Sequence, residues 1–180
     1  MSLIDKTYFL LPPNEIPMTD ASNGYSAELT ASETLRINNT ITRYEDKFFR
    51  KIMSKALYAE YLDSLTTPVE KWTTFVSKLR DESVKRSPIA NYTFCGWLVE
   101  NQSKLNNRAT ATKEKSQNST VVDLYPLYKA SWDDMVRQME VFSDWIVEDD
   151  LYLDYEDSEN DKYFLIEGFE EFLKEETYGF

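Results

Sequence analysis

Apolar residues recur at the spacing of one helix face in four segments of the chain. In the first segment, from about Asn39 to Ser64, they fall every three or four positions, and charged residues such as Arg43 and Lys47 lie between them. This alternation is typical of an amphipathic α-helix. We therefore predict one long helix over 39–64. Its predicted core positions are Ile41, Tyr44, Phe48, Ile52, Ala56 and either Tyr61 or Leu62.

The second and third helices each begin at a proline that follows a hydroxyl residue. Thr67 precedes Pro68, with Glu70 at the third position of a capping box, and Ser87 precedes Pro88. A Ser or Thr side chain can accept the first backbone N–H groups of a helix, and proline is tolerated in the first turn. The second helix is predicted to run to about residue 81. Its predicted core positions are Trp72, Phe75, Val76 and Leu79.

The third helix is apolar around most of its circumference, and we therefore predict that it lies at the centre of the core. A fourth helix follows after residue 122, where Pro126 is tolerated because it falls in the first turn. These patterns predict a mainly α protein, a small bundle of about four helices over 39–147. The fourth helix places on one face Leu124, Leu127, Tyr128, Ser131, Met135, Met139, Phe142 and Ile146.

Three segments outside this bundle lack a sustained period. Residues 1–38 contain Pro12, Pro13 and Pro17 and are predicted to form an extended N-terminal arm. Residues 106–122 are almost free of large apolar side chains and are predicted to form a protruding loop or a two-stranded ribbon. Residues 148–180 form an acidic C-terminal tail. In this tail the short apolar groups "KYFLI" and "FEEFL" cannot bury themselves alone, and we expect them to dock on another protein through Tyr163, Phe164, Phe169 and Phe172.

The negative charge of the chain is concentrated at its C-terminal end. From Glu148 to Phe180 there are thirteen acids and two lysines, a net of −11 out of −12 for the whole chain. Such an excess repels phosphate, so sequence-independent binding to nucleic acid is not expected. The aromatic share of 14% nevertheless favours a folded chain over a disordered one.

The composition offers few groups for catalysis. There is no histidine, and the one cysteine, Cys95, lies in the apolar third helix, so it is expected to be a small core residue. The four glycines cannot form a phosphate-binding loop, and the acidic run "DLYLDYEDSEND" lacks the glycine and the final glutamate of a calcium loop. We predict no catalytic, cofactor or metal site. The first residues resemble neither a signal peptide nor a membrane span, which favours a reducing cytoplasm and no membrane partner.

Several segments together resemble the head-completion or head-tail connector proteins of tailed bacteriophages. They are the N-terminal arm, "ITRYEDKFFRKIMSKALYAEYL", "TPVEKWTTFV", and "SPIANYTFCGWLVENQSKLNNRATATKEKSQNSTVV" leading into "LYKASWDDMV". The similarity covers about Thr40 to Met139 and is nearest to the ring or neck proteins of Bacteroidetes and crAss-like phages.

The resemblance implies a structural virion protein without enzymatic activity. Such proteins form a ring, commonly of twelve copies, beneath the portal, and they continue the channel through which DNA passes without sequence-specific contact. Its partners would be other copies, the portal protein and other neck or tail proteins, in the virion and, during assembly, in the host cytoplasm. The polar loop would contact neighbouring subunits through Arg108, Lys113, Lys115 and Asn118.

Two other classes of function fit parts of the sequence. An acidic protein-binding module could mimic DNA and inhibit a host protein, acting as a monomer or dimer with its acids spread over one face. A metal-dependent enzyme could use the carboxylates of the tail. Large closed oligomers would favour the ring subunit over the mimic, and titration with calcium or magnesium would test the enzyme.

Overall fold

The computed structural model describes residues 2–10, 14, 16, 31–113, 124–148, 151 and 154–173, with the backbone alone at 31–33 and 101–113. Within these residues the chain forms six α-helices and no sheet, which confirms the mainly α class. None of the described helices is long and apolar enough to cross a membrane. The helices are α1 (Ala31–Ile52), α2 (Lys55–Ser64), α3 (Glu70–Leu79), α4 (Pro88–Lys113), α5 (Tyr125–Val147) and α6 (Ile166–Leu173).

The fold is organised around α4, which packs against both α1 and α5. Its residues Ile89, Phe94 and Leu98 are buried, in agreement with the predicted central position of this helix. Gly96 allows the close approach of α1, because a Cβ atom there would lie 2.1 Å from the ring of Tyr44. The short helix α6 completes the bundle by packing against α5 and α1.

Aromatic side chains fill most of the core. The Phe75 ring of α3 lies 5.3 Å from that of Phe142 in an edge-to-face arrangement and 5.3 Å from that of Trp72. It also stacks against Phe164 at 6.1 Å, so α3, α5 and the C-terminal segment meet at one ring. Such aromatic pairs contribute about 0.5–1.5 kcal/mol each beyond the area that they bury.

The predicted single helix over 39–64 is wrong at both its start and its middle. The helix begins at Ala31, inside the predicted arm, and it ends at Ile52. The C-terminal segment then interrupts the helical hydrogen bonds, because the backbone N–H of Ser54 donates to Tyr163 O and that of Leu165 donates to Ile52 O, both at 2.9 Å. Ser54 Oγ accepts the N–H of Leu57 at 3.2 Å and starts α2.

Of the three helix starts predicted from capping residues or a first-turn proline, two agree with the structure. α4 begins at Pro88, and Ser87 Oγ accepts the N–H of Ile89 at 3.2 Å. α5 begins at Tyr125 with its proline in the first turn. The predicted cap Thr67 is wrong, because its N–H donates to Asp63 at the end of α2, so α3 starts later, at Glu70.

The N-terminal segment is part of the core and does not form an extended arm in its described residues. Leu3, Ile4 and Phe9 are buried, and a 3-10 helix forms at Lys6–Phe9. Both carboxylate oxygens of Glu45 accept the N–H of Leu3 at 3.0 Å, while Arg80 Nη1 donates to Leu3 O at 2.6 Å. Burial raises the pKa of the Glu45 carboxyl to about 7 despite these contacts.

The C-terminal tail also packs onto its own chain over residues 154–173. Phe164, Phe169 and Phe172 are buried, so the prediction that they dock on another protein is wrong. Phe169 and Phe172 belong to α6, which approaches α1 closely at Gly168, where a Cβ atom would lie 1.7 Å from Lys51 O. Tyr163 remains 45% exposed.

Glu60 of α2 attaches the tail to the bundle through ion pairs. Its carboxylate lies 2.6 Å from Lys71 Nζ of α3 and 2.9 Å from Lys162 Nζ of the tail, and it accepts the indole Nε1–H of Trp72 at 3.2 Å. Partial burial favours the neutral acid, but these donors outweigh it and lower the pKa of Glu60 to about 2. Two elements distant in sequence are thereby joined at one carboxylate.

The predicted polar loop begins later than expected. α4 continues to Lys113, so residues 106–113 are helical and do not form a loop. A long helix is possible here because the stretch contains no proline or glycine after Gly96. The remainder of the predicted loop, 114–122, lies outside the described residues.

Candidate functional site

A tight turn between α3 and α4 presents a cluster of cations. Its ends are held by two backbone hydrogen bonds between Asp81 and Arg86, of 2.7 and 3.0 Å. Asp81 Oδ1 accepts the N–H groups of Ser83 at 2.9 Å and Val84 at 3.3 Å, as Asp side chains often do in turns. Lys85 adopts a left-handed backbone with φ 53°, which costs about 1 kcal/mol for a residue with a Cβ. The turn therefore has a defined shape despite its exposure.

Asp134 of α5 holds this turn against the bundle. Its carboxylate accepts from Arg86 Nε at 3.2 Å and in a second contact from Arg86 Nη2, and also from Asn91 Nδ2 at 2.9 Å and Gln138 Nε2 at 2.8 Å. Burial acts to raise the pKa of Asp134, but the hydrogen bonds from Arg86 and Asn91 outweigh it and the pKa is lowered. Asp134 is therefore an ionised acceptor whose oxygens are already engaged by these donors.

A buried polar network extends inward from Asp134. Asn91 Nδ2 also donates to Ser131 O at 3.1 Å, and Ser131 Oγ donates to Asn14 Oδ1 at 2.7 Å. Asn14 Nδ2 in turn donates to Asn91 Oδ1. Because buried polar groups are costly when unpaired, a closed set of this kind fixes the relative positions of α4, α5 and the N-terminal segment.

Two adjoining depressions of about 400 and 390 Å³ lie on either side of this turn and share Arg86 and Arg137. We name their cationic lining the basic groove and define it as Lys78, Arg80, Lys85, Arg86 and Arg137.

The basic groove is positive within an acidic protein. Its five cations are accompanied by the three acids Asp81, Glu82 and Asp134, which leaves a local charge of +2 in a chain of −12. Glu82 pairs with Arg80 at 3.2 Å and with Lys85 at 2.5 Å, whereas Arg137 is 67% exposed and 3.5 Å from Asp134. Exposed guanidinium groups of this kind bind carboxylates or phosphates through paired N–H donors.

The described groups that could take part in catalysis are buried or already engaged by other side chains. Among the described residues there is no cluster of three acidic or cysteine side chains that could hold a metal ion. The thiol of Cys95 is buried, 3.7 Å from Tyr128 O. Asp134 is ionised but already accepts from arginine and two amides, so it is poorly placed to act as a base.

The residues that the sequence suggested for intersubunit contact lie elsewhere. Arg108 and Lys113 belong to the C-terminal half of α4, and Lys115 and Asn118 lie outside the described residues. Of the four predicted docking aromatics, only Tyr163 is exposed. None of these four aromatic residues lines the basic groove.

The groove was missed although part of its signal is visible in the sequence. The stretch "SKLRDESVKR" places four of the five cations between positions 78 and 86. Two acids within the stretch offset two of its four cations, and Arg137 joins the cluster only through the packing of α5. A search for cations near a helix boundary would have found the stretch, but it would not have found Arg137.

Comparisons of the chain with models of known protein families, with curated proteins and with solved structures find no match. The similarity to phage connectors therefore stays a prediction that rests on the sequence pattern.

Proposed function

We propose that this chain is a structural subunit that acts by binding other proteins and its own copies, as a head-tail connector in the neck of a tailed bacteriophage. The observation that carries the proposal is the basic groove, a positive surface in an acidic chain that is shaped by buried hydrogen bonds. The sequence resemblance supplies the biological setting. In that setting the subunits form a ring between portal and tail.

The net charge supports a place beside a DNA channel. With −12 per subunit, a ring of copies carries a strong negative potential, which repels phosphate and keeps DNA from adhering as it passes. A DNA mimic would use the same charge differently, as an acidic face that competes with DNA for a host protein. A cationic groove on the same chain favours the ring subunit, because it supplies a surface for acidic neighbours.

The proposal is tested by the assembly state of the purified protein and by its place in particles. Mass photometry over a range of protein concentrations should reveal a closed oligomer of about the copy number of a portal ring. Cryo-electron microscopy of particles from the source should place this chain between portal and tail. A protein that stays monomeric at every concentration, and that is absent from the neck of particles, would refute the proposal.

A further inference from the structure

We propose that the basic groove of one copy binds the acidic strip of the next copy. The acidic strip is defined as Asp154, Glu156, Asp157, Glu159 and Asp161. This inference rests on the proposed function in one respect, since it requires copies of the chain to associate. It adds which two surfaces of neighbouring copies meet.

The acidic strip is a shaped surface. The hydroxyl group of Tyr155 donates to Lys71 O at 2.8 Å, and Lys71 Nζ donates to Asp154 O at 3.3 Å, which fixes the start of the strip to α3. Asp157 and Lys162 exchange two backbone hydrogen bonds of 2.8 and 2.9 Å around a 3-10 helix at Ser158–Asn160. The strip therefore presents its carboxylates at set positions.

Three carboxylates of the strip face solvent. Asp154, Glu159 and Asp161 are exposed, and none of them forms an ion pair with another described residue. By contrast, Glu156 accepts the N–H of Phe164 at 3.3 Å and Asp157 accepts from Asn160 Nδ2 at 2.7 Å. The exposed three are therefore available to cations of another molecule.

The strip and the groove of one chain do not satisfy each other. The strip is anchored beside Lys71 at the N-terminal end of α3, whereas the groove starts beside Lys78 at its C-terminal end. In the described part of the chain the ion pairs of the groove go to Glu82 and Asp134, and none goes to the strip. Each surface remains open for an oppositely charged partner.

A second copy supplies the matching surface to both. Residues 154–162 contain five acids and one lysine, against a groove of local charge +2. Because the groove and the strip are different surfaces, the contact can repeat head-to-tail from copy to copy, and it closes into a ring where the rotation between neighbouring copies allows closure. Arg137, whose side chain is 67% exposed, can bind a carboxylate of the strip by paired hydrogen bonding.

Charge exchange tests the contact. The groove variant is Lys78→Glu/Arg137→Glu, and the strip variant is Asp154→Lys/Glu159→Lys; all four positions are exposed. Each variant alone should associate at least about tenfold more weakly than the unaltered protein, because like charges then face each other. An equimolar mixture should regain association, since each altered surface meets its complement on the other variant. Sedimentation velocity and mass photometry measure both effects, and circular dichroism confirms the fold.

The control is Lys47→Glu/Lys55→Glu, which makes the same change of charge on exposed lysines of α1 and α2. It should leave association within about twofold of the unaltered protein. If the groove and strip variants assemble like the unaltered protein, the inference is overturned while the proposed function stands. If the unaltered protein never associates, the proposed function fails as well. If a short DNA duplex binds to the groove and the groove variant loses it, the occupant is nucleic acid and the inference is overturned.

Discussion

Replacement of Glu45 by glutamine should stabilise the protein in neutral and alkaline solution and not in acid. The carboxylate is 7% exposed and holds the backbone of Leu3 in the core, and burial raises its pKa to about 7 from an ordinary 4.5. A group with a raised pKa in the folded state contributes its full stability below the unfolded pKa. That contribution is lost as the pH rises through the folded value. The Glu45→Gln side chain keeps an oxygen for the N–H of Leu3 but carries no charge.

The size of the effect follows from the two pKa values. A shift from 4.5 to about 7 corresponds to about 3 kcal/mol between the limits of low and high pH. Over the accessible range from pH 5 to pH 8, the free energy of unfolding of the variant should rise by about 2 to 3 kcal/mol relative to that of the unaltered protein. Groups that titrate in both proteins cancel in this difference.

The assay is urea unfolding followed by tryptophan fluorescence at several values between pH 5 and pH 8. The control is Glu140→Gln, which removes one negative charge from an exposed position on α5 and so corrects for the reduced repulsion within an acidic chain. If the stability difference between Glu45→Gln and the unaltered protein is the same at pH 5 and at pH 8, then Glu45 is ionised throughout and the reasoning from burial is refuted.

Three further changes probe how the tail is attached. Gly168→Ala should lower the free energy of unfolding by about 3 kcal/mol, because the new Cβ would lie 1.7 Å from Lys51 O and α6 must move; exposed Glu167→Ala on the same helix is the control in thermal unfolding. Glu60→Gln should cost about 2 kcal/mol at pH 7, and since the pKa of Glu60 is lowered to about 2, the difference should fade as the pH drops from 4.5 through 2 in denaturant titrations. Removal of Leu151–Phe180 should lower the melting temperature and increase amide exchange in α1, whereas a tail that docks only on other proteins would leave both unchanged.

The parts of the fold that were predictable are those decided by neighbours in sequence. Ser87 and Pro88 mark the start of α4 because a cap and a first-turn proline act within three residues. Pro126 marks the first turn of α5 for the same reason. The apolar period of α5 likewise identified the buried Met135 and Met139.

The parts that were not predictable depend on contacts between distant residues. The period of apolar residues continues past Ile52, and only the hydrogen bonds from Ser54 N–H to Tyr163 O and from Leu165 N–H to Ile52 O show why the helix stops there. The tail has many acids, and its apolar groups are too short to predict their burial from the sequence. They are buried because α1 provides a surface for them. The basic groove is likewise incomplete until α5 adds Arg137 to the turn.

The packing of α6 on α1 has a consequence for synthesis. The ring of Phe172 lies 4.9 Å from that of Phe48 in α1. This contact can form only after a residue 124 positions later in the chain has been translated. Contacts of such separation slow the search for the native state, because a long loop must close before they form. A ribosome-bound chain that has not reached this point leaves the side of Phe48 that faces Phe172 uncovered. Nascent chains should therefore recruit chaperones until about residue 172 has emerged.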